Sequence, residues 1–319
     1  MGRRVSVRRV DGVADGRPVF RDAIGVLTAW DGDGLTVESR RGVSVRFAAD
    51  LLVAGKPVPP FPARNVPMPD ITPTELQRTA ARGWPAVEQQ PLGDWVLRAS
   101  AGFTRRANSV QALGDPGLPL DEALERVRDW YAARGLPAHV EVVDGASPSD
   151  LTAELDRLGA QLAPTVVRRA RLGGLTRAAA PESWRQVRLS RAADRNWLSL
   201  YRRVGDDPAL EAAAQAVLHG GPSVWFAHVP GPDGAPLAIG RMAVDGDWAG
   251  FSAIEVAPAA RRRGLATTVM AALAARAAEE GATGAYLQVE ADNHGAQALY
   301  DQQGFTTSHT YHYARLPQR

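Results

Sequence analysis

A basic glycine turn, Arg261-Arg262-Arg263-Gly264, stands between an apolar run and a stretch of helix formers, and two more polar groups follow at set distances. Asn293 lies 27 residues after Ala266, and Tyr300 seven after that. The run Phe251 to Val256 reads as a buried strand that Pro258 ends, because proline cannot donate to a sheet ladder. Ala266 to Glu279 reads as an Ala/Leu/Arg/Glu-rich helix stopped at Gly281. A strand, a basic turn and a helix start together form an anion site. The first-turn N–H groups have no partner inside the helix, and the helix dipole is positive there. Gly264 and Ala266 are small enough to let a diphosphate reach the backbone, while the arginines add charge. Taken alone, the same loop is also an ordinary solvated helix start, and Asn293 an ordinary N-cap.

Both halves together resemble the signatures of the GNAT N-acetyltransferase superfamily. The first is Arg or Gln, two residues, Gly, one residue, then Gly or Ala, met here by Arg261, Gly264 and Ala266. The second is an Asn, an Ala, a Tyr and a Gly-Phe pair, met by Asn293, Ala296, Tyr300, Gly304 and Phe305. Either alone is a weak pattern; in order, with one helix and one strand between them, they are specific. The resemblance covers residues 184–316. It implies transfer of an acetyl group from acetyl-CoA, a co-substrate, to a primary amine by direct attack in a ternary complex. It sets the backbone of Ile254 and Val256 along the pantetheine arm. Arg261, Arg262, Arg263, Gly264, Leu265, Ala266 and Thr267 would hold the diphosphate, and Asn293 a pantetheine amide. The Val256 N–H would receive the oxyanion. Tyr300, a phenol of pKa near ~10, would protonate the departing thiolate; the plain alternative is a core aromatic on the last turn of a helix.

A base is harder to place. An alkylammonium of pKa near ~10 must lose a proton before it attacks. The ribosomal-protein branch of the superfamily often carries Glu where this chain has Gln288, and the protein-lysine branch carries Glu where it has Gly250. Glu255 and Glu290 remain as candidates, acting through water, although strand-end carboxylates are as readily solvated or ion-paired. His228, His309 and His312 titrate near neutrality, but single strand histidines are usually structural. No His/Asp/Glu cluster has metal-ligand spacing, so no metal is expected.

Three modules surround these residues. Residues 1–62 read as a small SH3-like β-barrel, with short alternating runs punctuated by Asp31-Gly32-Asp33-Gly34 and Arg40-Arg41-Gly42. The Pro57 to Pro69 stretch is a stiff linker. Residues 70–178 repeat the order of the catalytic segment, 183–319: helix, glycine, strand, helix, glycine, strand. Gly135 and Gly159 are 24 apart, Gly281 and Gly304 are 23. The middle copy has Val110 to Gly117 where the phosphate loop belongs and Leu155 where Tyr300 would align. The expected fold is therefore α+β or α/β: a GNAT domain, a mixed sheet flanked by helices, in tandem with a degenerate GNAT-like half that shapes the cleft, plus the barrel. The whole is similar to a group of actinobacterial GNAT proteins with an SH3-like module, some described as histone acetyltransferases. The Gly102 to Val110 run resembles their middle module.

Composition narrows the rest. The 319 residues, 45% hydrophobic and 23% charged, contain no apolar run of membrane-spanning length and no signal-peptide pattern, so a cytoplasmic enzyme with no membrane partner is expected. With no cysteine there is no disulfide and no thiol to carry an acyl group. The net charge is +2, and Lys56 is the single lysine among 37 basic residues, so nucleic acid is not expected as a partner. Arg3, Arg4, Arg8, Arg9, Arg40, Arg41 and Arg46 would have to form a basic face to reverse that. The acceptor is open between a protein amine and a small molecule, and the oligomeric state is open too. The alternative function is a non-catalytic acyl-CoA sensor whose barrel recruits a protein or nucleic-acid partner; Tyr300 argues against it, since a sensor needs no acid.

Overall fold

A computed structural model describes residues 2, 4–14, 17–38, 43–57, 67–184, 186–201 and 207–317. The chain divides into two units, Met1–Pro62 and Ala63–Arg319. In the first, β1 (Arg4–Ala14), β2 (Arg17–Asp31), β3 (Gly34–Glu38), β4 (Ser44–Ala48) and β5 (Leu52–Pro57) form an antiparallel sheet of order β4-β3-β2-β1-β5. Alternation buries Val7, Leu27, Leu35, Val37 and Phe47 together. The turn at Gly32-Asp33 is tied by the Asp33 N–H donating to Asp31 Oδ1, 3.1 Å. Among the described residues no β4–β5 pairing closes the sheet into a barrel. The Arg40-Arg41-Gly42 turn and most of the Pro57–Pro69 linker lie outside the described residues, as do Arg3, Arg40 and Arg41. Arg8, Arg9 and Arg46 are ion-paired to Asp22, Asp11 and Asp31 at 2.7, 2.6 and 2.8 Å. Such exposed pairs add little stability, but they neutralise arginines that a basic face would need.

The second unit begins with α1 (Pro73–Gly83), started by a reciprocal capping box between Thr72 and Glu75. It continues through β6 (Glu88–Leu92), β7 (Trp95–Ala99), β8 (Val110–Gln111), α2 (Leu120–Ala132), β9 (His139–Val143), α3 (Leu151–Arg157) and β10 (Gln161–Arg171). Short helices α4 (Leu172–Leu175) and α5 (Pro181–Trp184) lead to β11 (Arg188–Ser190), α6 (Arg195–Leu200) and α7 (Pro208–His219). Then come β12 (Ser223–Pro230), β13 (Pro236–Asp245), β14 (Trp248–Val256), α8 (Leu265–Glu279), β15 (Gly284–Glu290), α9 (His294–Gln302) and β16 (Thr306–Arg315).

All eleven strands form one sheet, ordered β11-β12-β13-β14-β15-β10-β16-β9-β8-β7-β6. Each sequence segment ends with a strand that has crossed into the other. β10 lies against β15, with Thr165 opposite Glu290, and β16 lies against β9, with Tyr311 opposite Val143. The two exchanged strands also pair with each other, Thr165 opposite Tyr311. Segments 70–178 and 183–319 thus share one sheet within one unit. Buried Arg168 on β10 secures the exchange: its guanidinium donates to the carbonyls of Gln297 and Phe305, 3.1 and 2.8 Å, and ion-pairs with Asp301. A cation at the last turn of α9 also suits the helix dipole. β8 runs parallel to β9, and β14 runs parallel to β15. No helix among the described residues is long and apolar enough to cross a membrane.

Candidate active site

The site begins where two parallel strands part. β14 and β15 pair from Trp248 opposite Gly284 to Phe251 opposite Leu287, and no further. The cause lies on the other edge of β14. Ser252 pairs with Arg241 and Glu255 with Ile239, so Ala253 and Ile254 together oppose Gly240 alone. That bulge, with Ala253 at φ +51, bends β14 away from β15. The Ala257 N–H donates to Leu237 O, 2.9 Å, and backbone groups alternate sides along a strand. The N–H and C=O of Ile254 and Val256 therefore turn toward the open notch. Their side chains pack into the core beneath α8.

Beyond the notch, Pro258–Ala260 forms one turn of 3-10 helix, Arg262 sits at φ +62, and Gly264 at φ +74 turns the chain into α8. Glycine supplies that left-handed conformation without strain. Gly264 has no side chain to cap the helix, so the N–H groups of Leu265, Ala266 and Thr267 have no partner among the described residues. Arg261, Arg262 and Arg263 are exposed and have no carboxylate in ion-pair range among the described residues. These groups line one cleft of about 1420 Å³, with Arg263 outside its lining. Three bare amides stand beside Arg262 and Arg261, whose Nε makes a long contact to Val256 O at 3.5 Å, an arrangement suited to an anion.

Asn293 and Tyr300 enter the same cleft from α9. Asn293 caps that helix, its side-chain oxygen accepting from the Ala296 N–H at 3.1 Å, which leaves its amide NH2 for a ligand. Tyr300 is buried, edge-on to Phe305 with ring centroids 5.7 Å apart. Burial pushes its phenol up to about 12. Its hydroxyl has no hydrogen-bond partner among the described residues, and the raised pKa keeps it protonated at neutral pH. Glu255 and Glu290 also line the cleft, on the ends of β14 and β15.

Leu287 and Val289 point toward α8, so Gln288 projects from the opposite face. Residues that spacing alone did not single out collect there: Arg105, Arg106, Thr165, Tyr311 and Tyr313. Arg106 Nη1 donates to Gln288 Oε1 at 3.0 Å, and the Tyr311 hydroxyl donates to the same oxygen at 3.2 Å. Behind them runs a buried relay. Gln288 Nε2 donates to Gln77 Oε1, 3.4 Å; Gln77 Nε2 donates to Glu141 Oε1, 2.9 Å; Arg98 Nη2 donates to Glu141 Oε2, 2.8 Å. His309, pushed down by burial, contacts Gln77 Oε1 through Nε2 at 3.3 Å and is structural, while His228 and His312 are not among the lining residues. Gln288 belongs to this relay as a neutral amide. Gly250 has no room for an acid: a Cβ there would lie 2.3 Å from the Tyr286 hydroxyl. Gly250→Ala is accordingly expected to destabilise the fold by about 1–3 kcal/mol through overpacking, read from urea unfolding. Among the described residues no group of three or more His, Asp or Glu could hold a metal ion.

The matching place in the middle segment is shut. The Ala112 N–H donates to Glu141 O, 3.3 Å, and the Gly114 N–H to Ala146 O, 3.2 Å, where β14 and β15 would already have parted. Its helix α2 starts with Asp121 and Glu122, which repel an anion. Leu155 is fully buried core.

The family model described as "Probable histone acetyltransferase Rv0428c C-terminal" matches residues 72–314. The chain is 30% identical to the probable histone acetyltransferase Rv0428c of Mycobacterium tuberculosis, over 98% of this chain and 94% of that protein. It is 27% identical to the N-acetyltransferase YobR of Bacillus subtilis, over 75% of this chain and 96% of that one. Among solved structures, a GCN5-related N-acetyltransferase from Kribbella flavida superposes with a TM-score of 0.56 at 19% identity, covering 77% of this chain and 96% of that one.

Proposed function

Because the chain belongs to the family of the probable histone acetyltransferase Rv0428c C-terminal region, and is a GNAT-type N-acetyltransferase, we propose that it moves an acetyl group from acetyl-CoA to a primary amine in a ternary complex. The observation that carries this reading is the parted β14–β15 pair, which opens directly onto the bare amides of α8. The pantetheine arm lies along the backbone of Ile254 and Val256 as an added strand, displacing the long 3.5 Å contact from Arg261 Nε to Val256 O. The diphosphate rests on Leu265, Ala266 and Thr267 beside Arg261 and Arg262, and the Asn293 amide meets a pantetheine carbonyl. The acceptor reaches the notch from the Gln288 face. Glu255 or Glu290 takes its proton through water, the neutral amine attacks the thioester, and the Val256 N–H receives the oxyanion. As the C–S bond breaks, Tyr300 gives its proton to the thiolate, and the proton shed by the new amide nitrogen returns to Tyr300 through solvent.

In this reading residues 183–319 carry the chemistry and 70–178 form a GNAT-like half that has lost its own. The closed Ala112–Glu141 and Gly114–Ala146 contacts support that loss. Residues 1–62 are read as an SH3-like module, a reading that the strand order β4-β3-β2-β1-β5 supports. The relative's name makes a histone lysine one acceptor to test; a small-molecule amine is the other. Free-thiol release from acetyl-CoA across an amine panel is the deciding measurement, and no release from any amine despite bound acetyl-CoA would instead favour a sensor. Acetyl-CoA at 100 times its Kd is expected to add about 2.7 kcal/mol of stability, seen as a rise in Tm. Replacing Arg261 and Arg262 by Ala is expected to weaken that binding about tenfold per residue, each lost contact being worth about 1.4 kcal/mol.

A further inference from the structure

We propose that the acceptor amine also carries an oxyanion, a carboxylate or a phosphate, and that Arg106 with Arg105 binds it. The inference rests on the acetyl-CoA reading above and names the acceptor class for that same cleft. Both guanidinium groups line the cleft on the Gln288 face, and neither has a carboxylate in ion-pair range among the described residues. Arg106 is half-buried and held in place: it bonds Gln288 and stands 4.8 Å from the centre of the Trp84 ring. Arg105 stands 5.4 Å from the centre of the Tyr313 ring. Aromatic faces orient both cations without neutralising them.

A third cation deepens the positive field. Arg241 is fully buried, 4.9 Å from the centre of the same Trp84 ring. Among the described residues it donates only to neutral oxygens: Leu218 O at 2.6 Å, Gly220 O at 2.7 Å and Ser252 Oγ at 3.4 Å. Burial lowers its pKa to about 9, so it stays charged at neutral pH. Arg105 and Arg106 line the cleft together with Glu255 and Glu290 at the strand ends, while Arg241 lies outside the lining, by the Trp84 ring that Arg106 also covers. That pattern fits an acceptor with its amine toward the glutamates and an anion toward the arginines. A lysine-rich tail brings charge of the wrong sign to the arginine side.

The test is thiol release at saturating acetyl-CoA with three sets of amines. The anionic set is the standard amino acids and phosphoethanolamine, whose two members separate carboxylate from phosphate. The neutral set is the amino-acid carboxamides and ethanolamine; the cationic set is spermidine and a lysine-rich peptide. We expect kcat/KM for the best anionic acceptor to exceed that of its neutral counterpart by ~10²-fold, since loss of the anion leaves the half-buried Arg106 without its charged partner. Arg106→Gln is expected to raise KM for the anionic acceptor by ~10–100-fold with kcat nearly unchanged, and Arg106→Lys to recover part of it. Should Arg106→Gln fail to fold, Arg105→Gln and the wild-type preference carry the same test. Preference for neutral or cationic amines, an unchanged KM ratio in the folded variant, or no turnover of any anionic amine while calorimetry shows acetyl-CoA bound, overturns the inference. Absence of acetyl-CoA binding overturns the reading beneath it instead.

Discussion

Tyr300→Phe is expected to lower kcat by ~10²–10⁴-fold while acetyl-CoA affinity stays within about twofold. The phenol loses only its hydroxyl in this change, and that hydroxyl bonds nothing in the protein among the described residues, so packing against Phe305 survives. Burial holds the phenol near 12, and it is therefore fully protonated at any working pH. Burial raises the pKa of a thiol as it does that of a phenol, so a thiolate displaced beside buried Tyr300 is a stronger base than in water. Activity should rise with pH as the acceptor ammonium loses its proton, with no falling limb from Tyr300 until far above neutrality. For stability the sign is the opposite. The unfolded tyrosine ionises near ~10 and the folded one near 12, so its contribution is complete below pH 10 and declines as pH climbs toward 12. Steady-state thiol release paired with calorimetry checks the first part; full activity in the Phe variant would remove Tyr300 from the chemistry.

The strand, turn and helix from Phe251 to Glu279 were legible because each rests on local chemistry: an apolar run, a stopping proline, a left-handed glycine. The same held for the strand expected between Gly135 and Gly159, found as β9 at His139–Val143. Exchange of β10 with β16 was not legible. Both strands alternate alike, so either could complete either half, and the choice lies in long-range contacts such as Arg168 with Asp301. The bend that opens the notch was hidden for a related reason: its left-handed residue is Ala253, where no glycine marks it. Gln288 read as a missing base, because spacing shows which residue occupies a place and not what it touches. Its neighbours Arg106, Tyr311 and Gln77 lie far away in sequence, and only the folded sheet joins them.

That joining leads to the largest stability effect expected here. Glu141 and Arg98 are a buried ion pair, their side chains 1% and 5% exposed, on the central strands of the middle segment. Burial alone would pull the arginine pKa down, yet the adjacent Glu141 carboxylate holds it above its ordinary value. Glu141→Ala should cost about 3–5 kcal/mol, since it strands the Arg98 charge in the core, whereas removing both charges with apolar residues of similar volume should cost far less. Urea unfolding of the two single variants and the double variant measures the coupling. Glu141→Gln probes a different property. As a carboxylate, Glu141 can only accept, so Gln77 must show it Nε2 and turn Oε1 to Gln288, which then presents its own oxygen to Arg106 and Tyr311. A glutamine at 141 brings two donors into a ring already full of them, facing either Arg98 or the amides of Gln77 and Gln111. One amide must turn over, and the reversal passes along the relay to the cleft. The folded Glu141→Gln enzyme is therefore expected to show a higher acceptor KM with unchanged acetyl-CoA affinity, an effect on the acceptor side that loss of stability alone would not produce.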